Sequence, residues 1–200
     1  MISPDKRHRF WSERYAEDRT PWDLGEVSRP VQELVDAAFP SAGAVFIPGC
    51  GRGHEALYLA ERGYAVTALD YVVAPLEHLR RVARARGLEM EILQADAFAL
   101  PEGHAGRYDV FLEQTFLCAI PPARWPAYEA LACRVLKPGG RLLGVFMEVA
   151  VESPPPYHTP PEVVRELFPA DRWEYEGMQW VEPQNPERPG PEFTAGWRKR

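Results

Sequence analysis

The chain has 200 residues, of which 46% are hydrophobic and 26% charged, and its formal net charge is −6. That is enough for one domain with its own core, and the negative balance argues against nucleic acid, which needs a basic stripe this chain lacks. Cys50, Cys118 and Cys133 show no CxxC spacing, which argues against a disulfide framework or structural zinc. The charged start MISPDKRHRFW has no apolar signal core, and no apolar run approaches the roughly 18–20 residues of a membrane span. The expectation is a soluble cytoplasmic protein, monomeric or weakly homo-oligomeric, that meets a small molecule rather than nucleic acid or membrane.

In chain order, the first 40 or so residues stand apart from any strand–helix rhythm but carry Phe10, Trp11, Tyr15 and Trp22. Trp11 and Tyr15, four apart, share a helix face. Residues 1–40 are therefore read as a helical extension, with residues 1 to about 25 ordering over a bound ligand. Ala44 to Pro48 then reads as a strand, running into Gly49-Cys50-Gly51-Arg52-Gly53 and a helix from Glu55 to Arg62. Further strands are predicted at Ala65 to Leu69, Glu89 to Gln94, Tyr108 to Leu112 and Arg141 to Met147. Helices fall at Leu76 to Arg86 and Trp125 to Leu136, and Lys137-Pro138-Gly139-Gly140 reads as a turn. After a Pro-rich connection over 153–161 comes a short helix, Glu162 to Phe168. Trp173 to Val181 and Glu192 to Arg198 then form a hairpin around a loop at 183–191. The fold class is α/β: a Rossmann-like, mostly parallel seven-stranded sheet in a single domain over 1–200, with helices on both faces and a C-terminal antiparallel hairpin.

Chemistry concentrates at the strand ends. The turn PGCGRGHE places Gly49 and Gly51 between strand and helix, where a backbone must approach a ligand closely. His54 stands where a dinucleotide fold has its third glycine, so a pyrophosphate is not the favoured guest, whereas free amides there suit a carboxylate. The plainer alternative is a strand–helix turn that needs glycine for its dihedrals. Asp70 ends the second strand at a solvent-facing cleft, where an acidic residue holds ribose hydroxyls; the alternative is a helix cap. Asp96, with Ala97 and Phe98, suits an adenine ring, or else a capped turn. Glu113-Gln114 is a polar pair at the fourth strand's carboxyl edge. The aromatic cluster suits a desolvated cation, or simply packs the extension onto the domain. His8, His54, His78, His104 and His158 have no metal-ligand spacing and are read as structural, and no metal is expected.

With these residues in view, the sequence resembles the thiopurine and thiol methyltransferases, especially their thiol- and halide-methylating branch. The likeness is carried by FWSERYAEDRTPWDLGE, VFIPGCGRGHEALYLAERGYAVTALD, YDVFLEQTFLCAIPPARWPAY, LKPGGRLL, PPPYHTPPEVVRELF and the closing Trp197 to Lys199. RTPWDLGE together with FLCAIPP is its most specific part. The resemblance implies an S-adenosylmethionine-dependent methyltransferase of the class I fold, with S-adenosylhomocysteine as its product. It implies that Trp11, Tyr15 and Trp22 close over the cofactor. Gly49 and Gly51 would line its methionine side, Asp70 its ribose, and Asp96 and Ala97 its adenine, with Gln114 near the sulfonium. Halide-using relatives carry Tyr where Gln114 and Met147 stand, and thiopurine-using ones carry Arg at Gln114, so a thiol or sulfide is the expected acceptor, ahead of halide or thiocyanate. Gln114, Glu113 and Tyr157 are the candidate catalytic groups. Trp22, Phe116, Met147 and Tyr157 are the expected substrate wall.

Two other readings share these features. A nicotinamide-dependent oxidoreductase would use the same glycine turn and Asp70. A non-catalytic binding module would use the Pro-rich segments 153–161 and 183–191.

Overall fold

The computed structural model describes residues 4–149, 151–182, 184 and 190–200; most of the loop expected at 183–191 lies outside the described residues. Two helices lead, α1 (Pro4–Ala16) and α2 (Arg29–Ala38), the second opened by Ser28, whose hydroxyl accepts from the Val31 amide. Then β1 (Ala44–Pro48), α3 (His54–Glu61), β2 (Ala65–Asp70), α4 (Val73–Ala85) and β3 (Glu91–Gln94) alternate. They are followed by β4 (Tyr108–Gln114), α5 (Trp125–Val135), β5 (Leu136–Met147), α6 (Pro161–Glu166), β6 (Trp173–Val181) and β7 (Glu192–Lys199).

All seven strands join one sheet in the order β3-β2-β1-β4-β5-β7-β6. β1 to β5 are parallel, and β7 runs antiparallel between β5 and β6. Strand periodicity divides the core between the two faces. Val45, Ile47, Val66, Ala68, Val110, Leu112, Leu143 and Val145 pack with α2, α3 and α4. Their neighbours Phe46, Phe111, Leu142 and Phe146 pack with α5, α6 and the aromatic hairpin residues Trp173, Phe193 and Trp197. Helices therefore cover both faces, as the alternation required.

Two boundaries differ from the sequence reading by more than two residues. Lys137-Pro138-Gly139-Gly140 is not a separate turn but an irregularity inside β5. The register steps from Tyr108↔Leu136 to Val110↔Arg141, Gly139 sits at φ 76°, and Lys137 Nζ reaches Asp109 Oδ1 at 2.7 Å. Helix α4 begins at Val73, because Pro75 is tolerated in a first turn whose amides have no helical partner anyway.

Candidate active site

Helices α3 and α5 pack on opposite faces of the sheet, so the chain parts where β1 lies beside β4 and leaves a crevice at their carboxyl ends. A cavity of about 440 Å³ fills that crevice, within the range of small-molecule sites.

The floor is built by backbone. Gly49 and Gly51 adopt φ 61° and 53°, a region closed to most side chains. A Cβ on Gly49 would run into the Phe116 ring, and one on Gly51 would come within 2.7 Å of the Tyr15 hydroxyl. Both glycines are thus required by close approach as well as by dihedral. The Cys50 amide donates to the Leu69 carbonyl and the Gly51 amide to Asp70 Oδ2 at 3.0 Å, which locks the turn onto the end of β2. Asp70 Oδ1 accepts from the Val72 amide at 2.9 Å. The picture of Asp70 as a carboxylate standing free in a solvent-facing cleft therefore needs correcting. It is buried, and burial lifts its pKa against the opposing pull of these amides, yet it still lines the cavity. Asp96, Ala97 and Phe98 also line it, with Asp96 Oδ1 accepting from the Phe98 amide at 2.9 Å. Phe98 stacks on Phe116, and the Arg124 guanidinium lies 4.0 Å over the Phe98 ring.

Glu113 and Gln114 separate, as adjacent residues on a strand must. Gln114 lines the cavity; it is 8% exposed, and its Oε1 has no hydrogen-bond partner. Buried polar atoms are nearly always satisfied, and this unsatisfied one belongs to a side chain that lines the cavity. Glu113 turns to the other side and does not line the cavity, so its place among the catalytic candidates is corrected. Its Oε1 accepts from the Phe116 and Leu117 amides at 2.8 and 2.9 Å, and its Oε2 from the Tyr128 hydroxyl at 2.7 Å. Burial pushes its carboxyl up to about 7 despite those donors. This buried carboxylate clamps the turn after β4, where Thr115 holds a left-handed φ of 58°, rare for a β-branched residue. Tyr157 is corrected likewise. Its amide bonds the Cys118 carbonyl at 2.7 Å, and at this bend Pro155 and Pro156, not the phenol, line the cavity. Met147 and Phe116 line it, joined by Cys118, which packs with Met147 and Val149.

The roof is α1 and the loop after it. Trp11 and Tyr15 lie on the inward face of α1, with ring centroids 5.2 and 5.9 Å from Trp22. Burial and then the Asp70 charge raise the Tyr15 phenol far above its ordinary value, so it stays protonated over the glycine turn. Tyr71, unassigned from the sequence, closes the β2 end: it meets His8 edge-on and donates to the Arg7 carbonyl at 3.3 Å. The roof is tied down by Asp23, whose Oδ2 takes Arg52 Nη1 at 2.5 Å while its Oδ1 lies 2.8 Å from His54 Nε2. Asp23 and Arg52 carry no assignment from sequence, and His54 only a structural one, because the pairing joins segments about thirty residues apart and no local pattern signals it. His104, by contrast, is structural as expected, 2.6 Å from the Tyr108 hydroxyl at the far end of β4. The three cysteines are free, and no His, Cys, Asp or Glu cluster fit for a metal exists among the described residues.

A parallel sheet closed by a reversed hairpin, with a glycine turn after β1 and an acidic residue ending β2, is a Rossmann-like arrangement of the kind that S-adenosylmethionine-dependent methyltransferases share. The model of the family thiopurine S-methyltransferase matches residues 6–189, and the chain belongs to that family. Thiocyanate methyltransferase 1 of Arabidopsis thaliana is 24% identical over 192 residues, spanning 94% of this chain and 84% of that protein. Thiopurine S-methyltransferase of Legionella pneumophila (strain Paris) is 27% identical over 176 residues, spanning 80% of each. The structure of 1,6-didemethyltoxoflavin-N1-methyltransferase from Burkholderia thailandensis, solved with bound 1,6-didemethyltoxoflavin and S-adenosylhomocysteine, superposes with a TM-score of 0.80. It covers 100% of this chain and 91% of that one at 24% identity, which establishes a shared fold. Family membership sets aside the oxidoreductase and the non-catalytic module.

Proposed function

We propose that this cavity binds S-adenosylmethionine and that the chain methylates a small, soft nucleophile, a thiol or hydrosulfide first. The observation that carries the reading is the constrained glycine turn bonded to Asp70, lining the same cavity as Gln114. The residues present fit the cofactor: amides at Gly49 to Gly51 for a carboxylate, Asp70 for ribose hydroxyls, Asp96 with Ala97 for adenine. When bound, the cofactor supplies a methyl group on a positively charged sulfur. Trp11, Tyr15 and Trp22 cover the cavity with aromatic faces, which attract a desolvated cation by roughly 1–2 kcal/mol each and exclude water from an attacking anion.

Gln114 has no fixed partner, so its amide can turn to orient a nucleophile. Phe116, Met147 and Cys118 offer the apolar, polarizable wall that suits sulfur. Glu113 and Tyr157 do not line the cavity, so neither is assigned as a base. The acceptor reacts in the thiolate form it brings, at an unperturbed pKa near ~8.5. Names borne by relatives, thiocyanate methyltransferase and thiopurine S-methyltransferase, agree with a soft acceptor. Free cysteines support a reducing, cytoplasmic setting, and no helix among the described residues is long and apolar enough to cross a membrane. Headspace and mass-spectrometric screening of thiols, hydrosulfide, thiocyanate and halides tests the reading. Methylated thiols are expected, and no methylation of any soft nucleophile would count against it.

A further inference from the structure

We propose that Asp23 is a positioning residue for methyl transfer, its carboxylate latching the Trp22 loop to the turn after β1 through Arg52 and His54. The role rests on reading the cavity beneath as the methyl-transfer site.

Asp23 borders the cavity, but its oxygens are taken up by Arg52, His54 and the Gly25 amide, so its role runs through Trp22, next to it in sequence. Oδ2 meets Arg52 Nη1; Oδ1 meets His54 Nε2 and accepts from the Gly25 amide at 2.9 Å. Arg52 also donates to the Thr20 hydroxyl at 3.2 Å and to Asp18 Oδ1 at 2.8 Å, so residues 18–25 are gathered on one side chain of the glycine turn. The Asp23 side chain is 7% exposed and that of Arg52 25%. A pair so shielded is far less screened than a surface ion pair, and removing Asp23 leaves His54 Nε2 without its acceptor and Arg52 held only by Thr20 and Asp18. Trp22, next in sequence, touches both Trp11 and Tyr15, and Tyr15 lies over Gly51. The latch therefore registers the roof against the part of the floor where a methionine carboxylate would lie.

The latch depends on pH. Burial pushes the Asp23 carboxyl up, but His54, the Gly25 amide and Arg52 overcome it and hold the group well below the usual carboxylate range. The bond to Asp23 raises His54 above its ordinary 6.5, against burial. The groups facing His54 are Asp23 from the loop, Arg52 and Glu55 from its own segment, and His78 from α4. Because the closed lid raises the imidazole, its contribution to closure is complete below about 6.5 and is lost as pH rises through the raised value.

The test compares the full chain with Asp23→Ala, Asp23→Asn and His54→Gln. Trypsin cleavage after Arg14 and Arg19, without ligand and normalised to denatured protein at each pH, reports the latch alone. Calorimetry with S-adenosylhomocysteine at pH 6 and 8.5 reports its effect on the site. Asp23→Ala is expected to be cleaved about tenfold faster and to bind about tenfold more weakly, with Asp23→Asn intermediate. The parent's affinity should fall severalfold from pH 6 to 8.5, while His54→Gln should give a flat profile. A merely structural pair would shift the melting temperature and leave that profile alone. If Asp23→Ala fails to fold, Asp23→Asn carries the same comparison. Equal cleavage of parent and variants overturns the latch whatever the ligand does. A parent whose lid resists trypsin in an Asp23-dependent way but ignores S-adenosylhomocysteine upholds the latch and sinks the cofactor reading.

Discussion

The floor and the roof of the cavity are held by different forces. The floor is held through main-chain amides: that of Cys50 on the Leu69 carbonyl, those of Gly51 and Val72 on the buried Asp70 carboxylate, and those of Phe116 and Leu117 on the buried Glu113 carboxylate. The roof is side chain: aromatic edges among Trp11, Tyr15 and Trp22, and a few charges converging on Asp23. Backbone bonds set by a local turn are rigid and cannot be traded residue for residue. Side-chain contacts across long sequence gaps can open and re-form, and a cavity that must admit and release ligands needs one wall of each kind.

The comparison breaks most severely at the floor. Gly49→Ala meets both a left-handed backbone and the Phe116 ring, and strain of this kind costs about 2–4 kcal/mol. S-adenosylhomocysteine binding measured by calorimetry should fall by more than about thirtyfold. Asp70 comes next. Asp70→Asn keeps the shape but loses the charge, so cofactor affinity should weaken by about 1.5–3 kcal/mol in a folded protein. Asp70→Ala strands the amides of Gly51 and Val72 and should lower the melting temperature too, a loss that an exposed ribose ligand would not cause. Unchanged affinity in folded Asp70→Asn would remove the ribose assignment.

Legibility from sequence follows the same division. The alternation of Ala44 to Pro48, Ala65 to Leu69 and Tyr108 to Leu112 with helical segments is readable, because period and punctuation are local. So are Gly49, Gly51 and Asp70 as cavity residues, since each is marked by its place at a strand end. Glu113 sits in the expected element but does different work, because which of two adjacent polar residues faces the crevice depends on the pleat relative to α5. Tyr157 escapes a sequence reading because the bend at Cys118 is a tertiary bond. The Lys137 to Gly140 segment looks like a turn because nothing local shows that Leu136 pairs with Tyr108. Asp23 is visible within RTPWDLGE, but its partners lie in another motif.

Glu113 sharpens the contrast with a pH signature. Its carboxyl is raised to about 7 by burial, so the stability it lends is complete below its unfolded value of about 4.5 and is lost as pH rises through about 7. Urea midpoints should therefore decline between pH 5 and 8, on the order of a few kcal/mol in all, and the decline should flatten in Glu113→Gln. A Gln can still accept from the Phe116 and Leu117 amides. A parallel decline in both proteins would reassign the titration to another group. The smallest effect belongs to the outer face of the roof, where Arg9 and Glu13 pair in solvent at 2.7 Å. Arg9→Ala should leave ligand affinity and melting temperature unchanged within error, because an exposed i,i+4 pair adds little.

Methyl transfer itself is tested most directly by specificity constants for a thiol series, hydrosulfide, iodide, bromide and chloride, with S-adenosylmethionine, between pH 6 and 9. With Gln114 and Met147 in the wall, thiols or hydrosulfide should lead, iodide should follow, and chloride should scarcely react. Relative to iodide, which has no proton to lose, thiol activity should climb with pH toward each thiol's own pKa, so that pH effects on the lid cancel in the ratio. Chloride or bromide outperforming every thiol would contradict the soft-acceptor site, and no transfer to any of them would contradict methyl transfer in this cavity.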